Sequence, residues 1–167
     1  MELEIGLYPQ EKAACYALMR QQLAALCDGV TSPLSNLANM AALIYHALPQ
    51  LNWAGFYLAK GETLMLGPFQ GKTACVTIPF GRGVCGTAAQ TREPQLVRDV
   101  HVFPGHIACD SVSASEVVIP LIQAGKVIGV LDLDSPVQGR FDEEDAQGLS
   151  SLCDILLQHC SFADGLL

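Results

Sequence analysis

The chain has 167 residues, half of them hydrophobic, which is enough for one domain with a sizeable buried core. Its formal net charge of −8 and its pI of about 4.7 argue against partners that need a basic surface, such as nucleic acids and anionic membranes. No stretch approaches the roughly 18 apolar residues of a membrane helix, and the acidic start lacks an apolar signal core, so we expect a cytoplasmic protein.

Regularly spaced apolar residues predict two helices at the start of the chain, over residues 10–28 and 33–48. Ser32 is a suitable cap for the second helix, Pro33 suits its first position and Pro49 ends it. Strands are predicted next, over residues 52–59, 63–66 and 74–79.

The second half of the chain continues with a short helix, a brief strand and an irregular loop, over residues 84–90, 95–97 and 99–114. A β-hairpin follows, with strands over residues 115–122 and 127–133. The last helix covers residues 142–160, with Asp142 as its cap and Asp145 three residues later.

Helices at both ends with strands between them indicate an α+β fold. We expect an antiparallel central sheet, with the N- and C-terminal helices packed on one face and a loop-covered pocket on the other. The chain has no repeats, low-complexity segments or obvious linker, so one domain over residues 1–167 is predicted.

Seven cysteines are unusual for a chain of this length. Their odd number, together with the expected cytoplasmic location, argues against a structural disulfide framework, and the absence of C-x-x-C argues against a zinc finger. Four of them lie in the predicted terminal helices and are expected to pack as small hydrophobic residues: Cys15, Cys27, Cys153 and Cys160.

The other three cysteines lie in the region of strands and loops. Cys109 belongs to a hydroxyl-rich loop and can be exposed enough to react. Cys85 opens a short helix next to Arg82, where the helix N-terminus and the arginine would lower its thiol pKa. Three unrelated buried thiols, including Cys75, are an equally open interpretation. A metal site formed by His101, His106 and Cys109 is less favoured, because this spacing matches no common zinc signature.

Two aspartates end a strand that is apolar on both faces. The alternation of side chains places Ile128, Val130, Asp132 and Asp134 on one face. Two ionised carboxylates at this spacing repel each other unless a cation lies between them or one of them is protonated. The alternative is that both emerge into solvent where the strand ends.

The hairpin register decides whether Glu116 joins these aspartates. A two-residue turn at Ala124 and Gly125 pairs Glu116 with residue 133 and places it on the opposite face. A three-residue loop that includes Lys126 pairs Glu116 with Asp134 instead.

The first strand carries two aromatic residues, Trp53 and Tyr57, on one face with Gly55 between them. The missing side chain leaves a slot that can hold a small ligand or a cation against the rings. Aromatic core packing is the commoner use of a tryptophan in a strand.

These motifs together resemble a known family. NWAGFYL, GPFQGKTACVTIPFGRGVCGTAA, HIACDSVSASEVVIPL, GVLDLDSP and FDEEDA follow the order of a GAF domain, and the spacing of the three cysteines is similar to that of the free methionine-(R)-sulfoxide reductases. The resemblance extends from about residue 10 to residue 160.

The resemblance implies that free methionine-(R)-sulfoxide is reduced by Cys109 as the nucleophile, with Cys75 and Cys85 as recycling thiols. It also implies a substrate pocket lined by Trp53, Tyr57, Glu116, Asp132 and Asp134. A shared pocket requires the three-residue hairpin loop, which we therefore expect, and Glu116 or Asp134 is expected to donate the proton.

Neither a metal nor a cofactor is expected, and thioredoxin is implied as the external reductant. A homodimer is also implied by the resemblance. Two other classes remain alternatives: a GAF sensor that binds a small molecule without chemistry, and a thiol redox switch.

Overall fold

A computed structural model describes residues 8–162, so the ends of the predicted domain, residues 1–7 and 163–167, lie outside the described range. The α-helices are α1 (Lys12–Cys27), α2 (Pro33–Ala47), α3 (Gly83–Thr91) and α4 (Glu143–His159), and a short 3₁₀ helix covers Val100–Val102. The strands are β1 (Trp53–Lys60), β2 (Thr63–Gly71), β3 (Thr77–Pro79), β4 (Gln95–Val97), β5 (Ser115–Gln123) and β6 (Lys126–Ser135). Within the described range no helix combines the length and the apolar character that a membrane crossing needs.

The caps predicted for two helices are confirmed. The hydroxyl oxygen of Ser32 accepts a hydrogen bond from the Ser35 amide at 3.3 Å, and Pro33 is the first residue of α2. At α4, the Asp142 side chain accepts hydrogen bonds from two backbone amides, while the Asp145 side chain accepts one from the Asp142 amide. This reciprocal arrangement satisfies amide groups that a helix start otherwise leaves without partners.

The six strands form one antiparallel sheet in the order β3-β2-β1-β6-β5-β4. Helices α1, α2 and α4 cover one face, where they pack on apolar side chains such as Phe56 and Leu131. Helix α3 and the long loop after β4 cover the other face, which carries Trp53 and Tyr57. The expected α+β architecture, with the terminal helices on one face and a pocket on the other, is confirmed.

Two strands differ from the sequence prediction by three residues or more. β2 continues to Gly71 because it pairs with β1 as far as Trp53. β3 begins only at Thr77, three residues later than predicted. The preceding Cys75 is bonded to Cys109, and its carbonyl accepts a hydrogen bond from Tyr57, so this segment runs across the pocket face.

The predicted three-residue hairpin loop is wrong, because Gln123 pairs directly with Lys126 across a two-residue turn. Both turn residues, Ala124 and Gly125, have positive φ angles of 49° and 76°, as a tight hairpin turn with a right-handed twist requires.

A β-bulge in β6 nevertheless produces the strand register that was predicted from the three-residue loop. Ile122 pairs with Val127, but Leu121 pairs with Gly129, so Ile128 is an extra residue in β6. This shift of one residue pairs Glu116 with Asp134. It also turns Ile128 towards the helices, which corrects its predicted place on the same face as the aspartates.

Candidate active site

The three predicted carboxylates meet on the pocket face of the central strands. Asp134 lies opposite Trp53 on one side and opposite Glu116 on the other, while Asp132 lies opposite Gly55. Directly opposed residues of antiparallel strands point to the same face, so these side chains share one site. They do not emerge into solvent, since Glu116 and Asp132 are each only 5% exposed.

A cavity of about 530 Å³, its open side included, lies over these carboxylates. Its walls include nearly every site residue that the sequence predicted: Trp53, Tyr57, Cys85, Cys109, Glu116, Asp132 and Asp134. Cys75 is bonded to one of these wall residues. The concave shape and the convergent polar groups are typical of a small-molecule site.

Burial and mutual repulsion favour the protonated form of the carboxyls. Burial raises the pKa of Glu116 well above its ordinary value, and the neighbouring Asp134 raises it further. Burial also raises the pKa of Asp132, with Glu116 as the second cause, and that of Asp134, with Asp132 as the second cause. Such a cluster can release a proton to a reacting group or ionise when a cation enters.

The aromatic slot predicted over Gly55 is filled. The Trp53 ring stacks on Tyr57 with ring centroids 5.8 Å apart and on Phe69 with centroids 5.2 Å apart. A Cβ atom at Gly55 would overlap Phe69 and lie 2.8 Å from Cη2 of Trp53, so the missing side chain makes room for the indole itself. Both Trp53 and Tyr57 line the cavity, so a ligand there can contact the edges of these rings.

The same two aromatic residues anchor the segment that carries Cys75. The Tyr57 hydroxyl donates a hydrogen bond to the Cys75 carbonyl at 3.1 Å, and Nε1 of Trp53 donates one to the Lys72 carbonyl at 3.1 Å. The Lys72 ammonium lies 3.7 Å from the Asp110 carboxylate, next to Cys109. These contacts hold the two cysteine-bearing loops beside each other.

Cys75 and Cys109 form a disulfide, with their Cα atoms 5.6 Å apart. Cys109 is exposed and Cys75 is half-buried, so a thiol from solvent can reach this bond. The sequence alone does not determine which of the three middle cysteines are partners. The four helix cysteines are buried and unpaired, as predicted.

The prediction of a lowered pKa for Cys85 is wrong. Cys85 is the third residue of α3, as expected, but only 3% of it is exposed and its Sγ lies 3.9 Å from Oε1 of Glu116. Burial, and then the Asp132 and Glu116 carboxyls, raise the pKa of this thiol well above its ordinary value. Arg82 is exposed, so water screens the effect of its charge on the thiol. The effect of the buried Glu116 and Asp132 carboxyls is screened much less.

Sequence reasoning did not foresee His106 as a neighbour of Glu116. The imidazole Nε2 lies 3.4 Å from Oε2 of Glu116, and the ring lines the cavity with its side chain 15% exposed. Burial lowers the pKa of His106, so the neutral ring predominates at neutral pH. His101, the other histidine weighed as a metal ligand, is exposed and lies outside the cavity wall.

Asn52 and Ser113 were also missed. The Asn52 amide donates hydrogen bonds to Oγ of Ser113 at 3.0 Å and to Oδ2 of Asp110 at 3.2 Å. The Ser113 side chain in turn hydrogen-bonds Asp134 and lowers its pKa against the larger effect of burial. The abundance of hydroxyls in this loop was the available signal, but only the folded structure shows which one reaches the cavity.

Comparison with known proteins agrees with this geometry. Residues 35–158 match the GAF domain family. A free methionine-R-sulfoxide reductase from Escherichia coli is 57% identical over 141 residues, which cover 84% of this chain and 86% of that protein. The Saccharomyces cerevisiae free methionine-R-sulfoxide reductase is 48% identical over 145 residues, covering 82% of this chain and 81% of its relative.

A solved structure extends the similarity to three dimensions. The X-ray structure of free methionine-R-sulfoxide reductase from Neisseria meningitidis in complex with its substrate superposes with a TM-score of 0.89 at 44% identity, covering 92% of this chain and 93% of that one. The chain therefore belongs to the free methionine-R-sulfoxide reductases, a family built on the GAF domain.

Proposed function

We propose that this protein reduces free methionine-(R)-sulfoxide to methionine. The observation that carries the proposal is the position of the Cys75–Cys109 disulfide beside a cavity that contains three buried carboxyls. A redox-active thiol pair and nearby proton donors are the two requirements of sulfoxide reduction.

In the first step the Cys109 thiolate attacks the sulfoxide sulfur while a proton passes to the sulfoxide oxygen. The oxygen ends on Cys109 as a sulfenic acid, and methionine leaves. The Cys75 thiol then attacks the sulfenic sulfur, water leaves, and the disulfide forms. Cys75 is favoured over Cys85 as the resolving thiol because it is the bonded partner of Cys109, whereas Cys85 is buried among carboxyls.

Glu116 is the proposed proton donor. Burial and the neighbouring Asp134 raise its pKa well above the ordinary value, which favours the protonated form that a proton donor needs. His106, 3.4 Å away and nearer to solvent, can return a proton to it after each turnover. Asp132 and Asp134 then bind the α-ammonium of the substrate as carboxylates, and the parts of Trp53 and Tyr57 that line the cavity contact its methyl end.

The test is methionine formation from four substrates: the R and S epimers of methionine sulfoxide, each free and N-acetylated. We expect turnover of the free R epimer alone, because an N-acetyl group removes the charge that the aspartates recognise. Efficient turnover of the N-acetylated R epimer would contradict ammonium recognition. Binding without turnover would instead favour a GAF sensor, and disulfide formation by peroxide without methionine release would favour a thiol switch.

Thioredoxin is the proposed reductant, because the exposed disulfide is open to attack by an external dithiol. The dithiol would be oxidised as Cys75 and Cys109 are reduced. Consumption of NADPH in a coupled assay with thioredoxin and its reductase, dependent on methionine sulfoxide, tests this step.

A homodimer and a cytoplasmic location complete the proposal. Five of the cysteines remain unpaired, which fits a reducing compartment such as the cytoplasm. Sedimentation equilibrium of the purified protein tests the dimer, and fractionation of the producing cells tests the location.

A further inference from the structure

A buried thiol and two buried carboxyls converge at the inner end of the cavity. One ligand atom from each of Cys85, Glu116 and Asp132 lies within 4.8 Å of the other two. The side chains come from three different elements, α3, β5 and β6, so the sheet and the helix hold the group together. All three side chains line the cavity, and each becomes anionic when it loses its proton.

One carboxyl oxygen of Asp132 lacks a hydrogen-bond partner within residues 8–162. Its Oδ1 atom is buried and has no hydrogen-bond partner among the described residues, although the residue is only 5% exposed. A buried carboxyl oxygen without a partner is unfavourable, and a bound cation would supply the missing partner. One basic side chain, His106, contacts Glu116 of this group at 3.4 Å.

The dimensions fit a zinc ion. Zinc binds cysteine sulfur at about 2.3 Å and carboxylate oxygen at about 2.0–2.2 Å, so two ligand atoms of one tetrahedral zinc lie about 3.5 Å apart. Sγ of Cys85 and Oε1 of Glu116 are already 3.9 Å apart. The third ligand atom, from Asp132, lies within 4.8 Å of both, and all three residues line the cavity.

We propose that these three residues, Cys85, Glu116 and Asp132, bind a thiophilic divalent cation, Zn²⁺, in competition with the substrate. A thiolate with carboxylates favours zinc over the hard cations Mg²⁺ and Ca²⁺, which take oxygen ligands alone. The cation replaces the thiol proton and any proton on the two carboxyls, and these protons pass to solvent. The disulfide does not involve Cys85, so oxidised protein binds the cation as well.

Cobalt binding to the tag-free protein with its Cys75–Cys109 disulfide intact tests the site directly. Co²⁺ takes zinc sites, and its thiolate bond gives a charge-transfer band in the near ultraviolet. We expect one equivalent of Co²⁺ to produce this band and one equivalent of Zn²⁺ to abolish it. An oxidised protein that shows no band would overturn the proposal.

Matched variants locate the ligand. C85S should lose the band, whereas C153S, a buried thiol on the opposite face of the sheet, should keep it. D132N keeps the thiol and should weaken Zn²⁺ binding, measured by chelator competition, by at least about 10-fold. Loss of a group that only hydrogen-bonds to a metal ligand already has an effect of about this size, so loss of a ligand should have at least the same effect. Retention of the band in C85S, or unchanged affinity in folded D132N, would overturn the assignment.

The competition with substrate rests on the proposed function, whereas cobalt binding does not. With fully reduced protein, Zn²⁺ should raise the apparent KM for methionine sulfoxide and leave kcat unchanged. A fall in kcat at constant KM would contradict a site inside the substrate cavity. A protein that gives the cobalt band but never reduces the sulfoxide would refute the proposed function and leave the metal site standing.

Discussion

The surroundings of each cysteine decide its chemistry. Cys109 is exposed on a loop beside the cavity, whereas Cys85 is buried between carboxyls that raise its pKa. A thiolate is the nucleophilic form of cysteine, so the exposed residue suits attack and the buried one does not. This difference gives two predictions for the thiols.

Replacement of the proposed nucleophile should abolish the reaction. C109S keeps the size of the side chain but has no accessible anion near neutral pH. We expect less than about 1% of wild-type methionine formation, since loss of a nucleophile removes several orders of magnitude of rate. Binding of the sulfoxide, measured by calorimetry on reduced proteins, should be nearly unchanged. Turnover above that level would contradict the role of Cys109.

Replacement of the proposed resolving thiol should separate chemistry from recycling. C75S should release one methionine per protein in a single turnover, because the first step needs only Cys109. Steady-state turnover with thioredoxin should fall, since the sulfenic acid cannot close the disulfide. C85S is the comparison, and it should still form the Cys75–Cys109 disulfide. If C75S cycled like the wild type and C85S did not, Cys85 would be the resolving residue.

Among the secondary-structure elements, the β5–β6 hairpin shows how a local irregularity positions a site. The turn at Ala124 and Gly125 has two residues rather than the three that the sequence analysis predicted, and Ile128 bulges out of the ladder and moves the register by one residue. Glu116 consequently faces the cavity with Asp134. A bulge of this kind depends on the neighbouring strand and carries no strong sequence signal, so register could not be derived from the hairpin alone.

Close packing of α1 on α4 depends on a helical glycine. A Cβ atom at Gly148 would lie 2.5 Å from ring atoms of Tyr16 in α1. Alanine is the better helix former by about 1 kcal/mol, but overlap with a buried ring costs about 1–3 kcal/mol and outweighs it. We expect G148A to lower the unfolding temperature measured by calorimetry. Q147A, an exposed position in the same helix, should change stability by less than about 0.5 kcal/mol. Equal stability of G148A and the wild type would contradict this packing.

Across the whole molecule, two buried aspartates have opposite surroundings. Asp145 contacts the Lys12 ammonium at 2.6 Å, Arg140 at 3.2 Å and the Tyr16 hydroxyl at 2.9 Å. Asp132 lies instead beside Glu116 and Cys85, with one oxygen unpaired among the described residues. The same residue type therefore stabilises the fold at one place and destabilises it at the other.

Asparagine substitutions should reveal this difference. D145N leaves two cations around a neutral group and should lose about 3–5 kcal/mol, as broken buried ion pairs do. D132N removes a buried carboxyl that has no cationic partner in the described range and is unfavourable to ionise, and we expect a higher unfolding temperature at pH 8, by about 2–4 °C for each kcal/mol gained. Thermal unfolding of both variants measures the effect. Destabilisation of D132N comparable to that of D145N would show that Asp132 has a compensating partner.

The carboxyl cluster should also make stability depend on pH. The pKa values of Glu116, Asp132 and Asp134 are raised, so the folded state binds protons more tightly than the unfolded state. Their stabilising contribution is complete below the unfolded carboxyl pKa of about 4 and is lost as pH rises through the raised values. Urea unfolding between pH 5 and 9 should show falling stability, with a shallower slope in D132N. A slope that is identical in both proteins would contradict the raised pKa of Asp132.

The sequence by itself determined the features that depend on near neighbours along the chain. The caps at Ser32 and Asp142, the order of helices and strands, the α+β class and the burial of the helix cysteines all follow from local chemistry or from helical and strand periodicity. Alternation also placed Asp132 and Asp134 on one face of β6.

The tertiary structure decided the features in which distant segments meet. The bulge at Ile128 pairs Glu116 with Asp134, and the loops around Cys75 and Cys109 meet across 34 residues of sequence. The raised pKa of Cys85 has the same origin, because its carboxyl neighbours come from β5 and β6 rather than from its own helix. Register, disulfide pairing and electrostatic surroundings are set by packing between elements, because each depends on distances that local propensity does not determine.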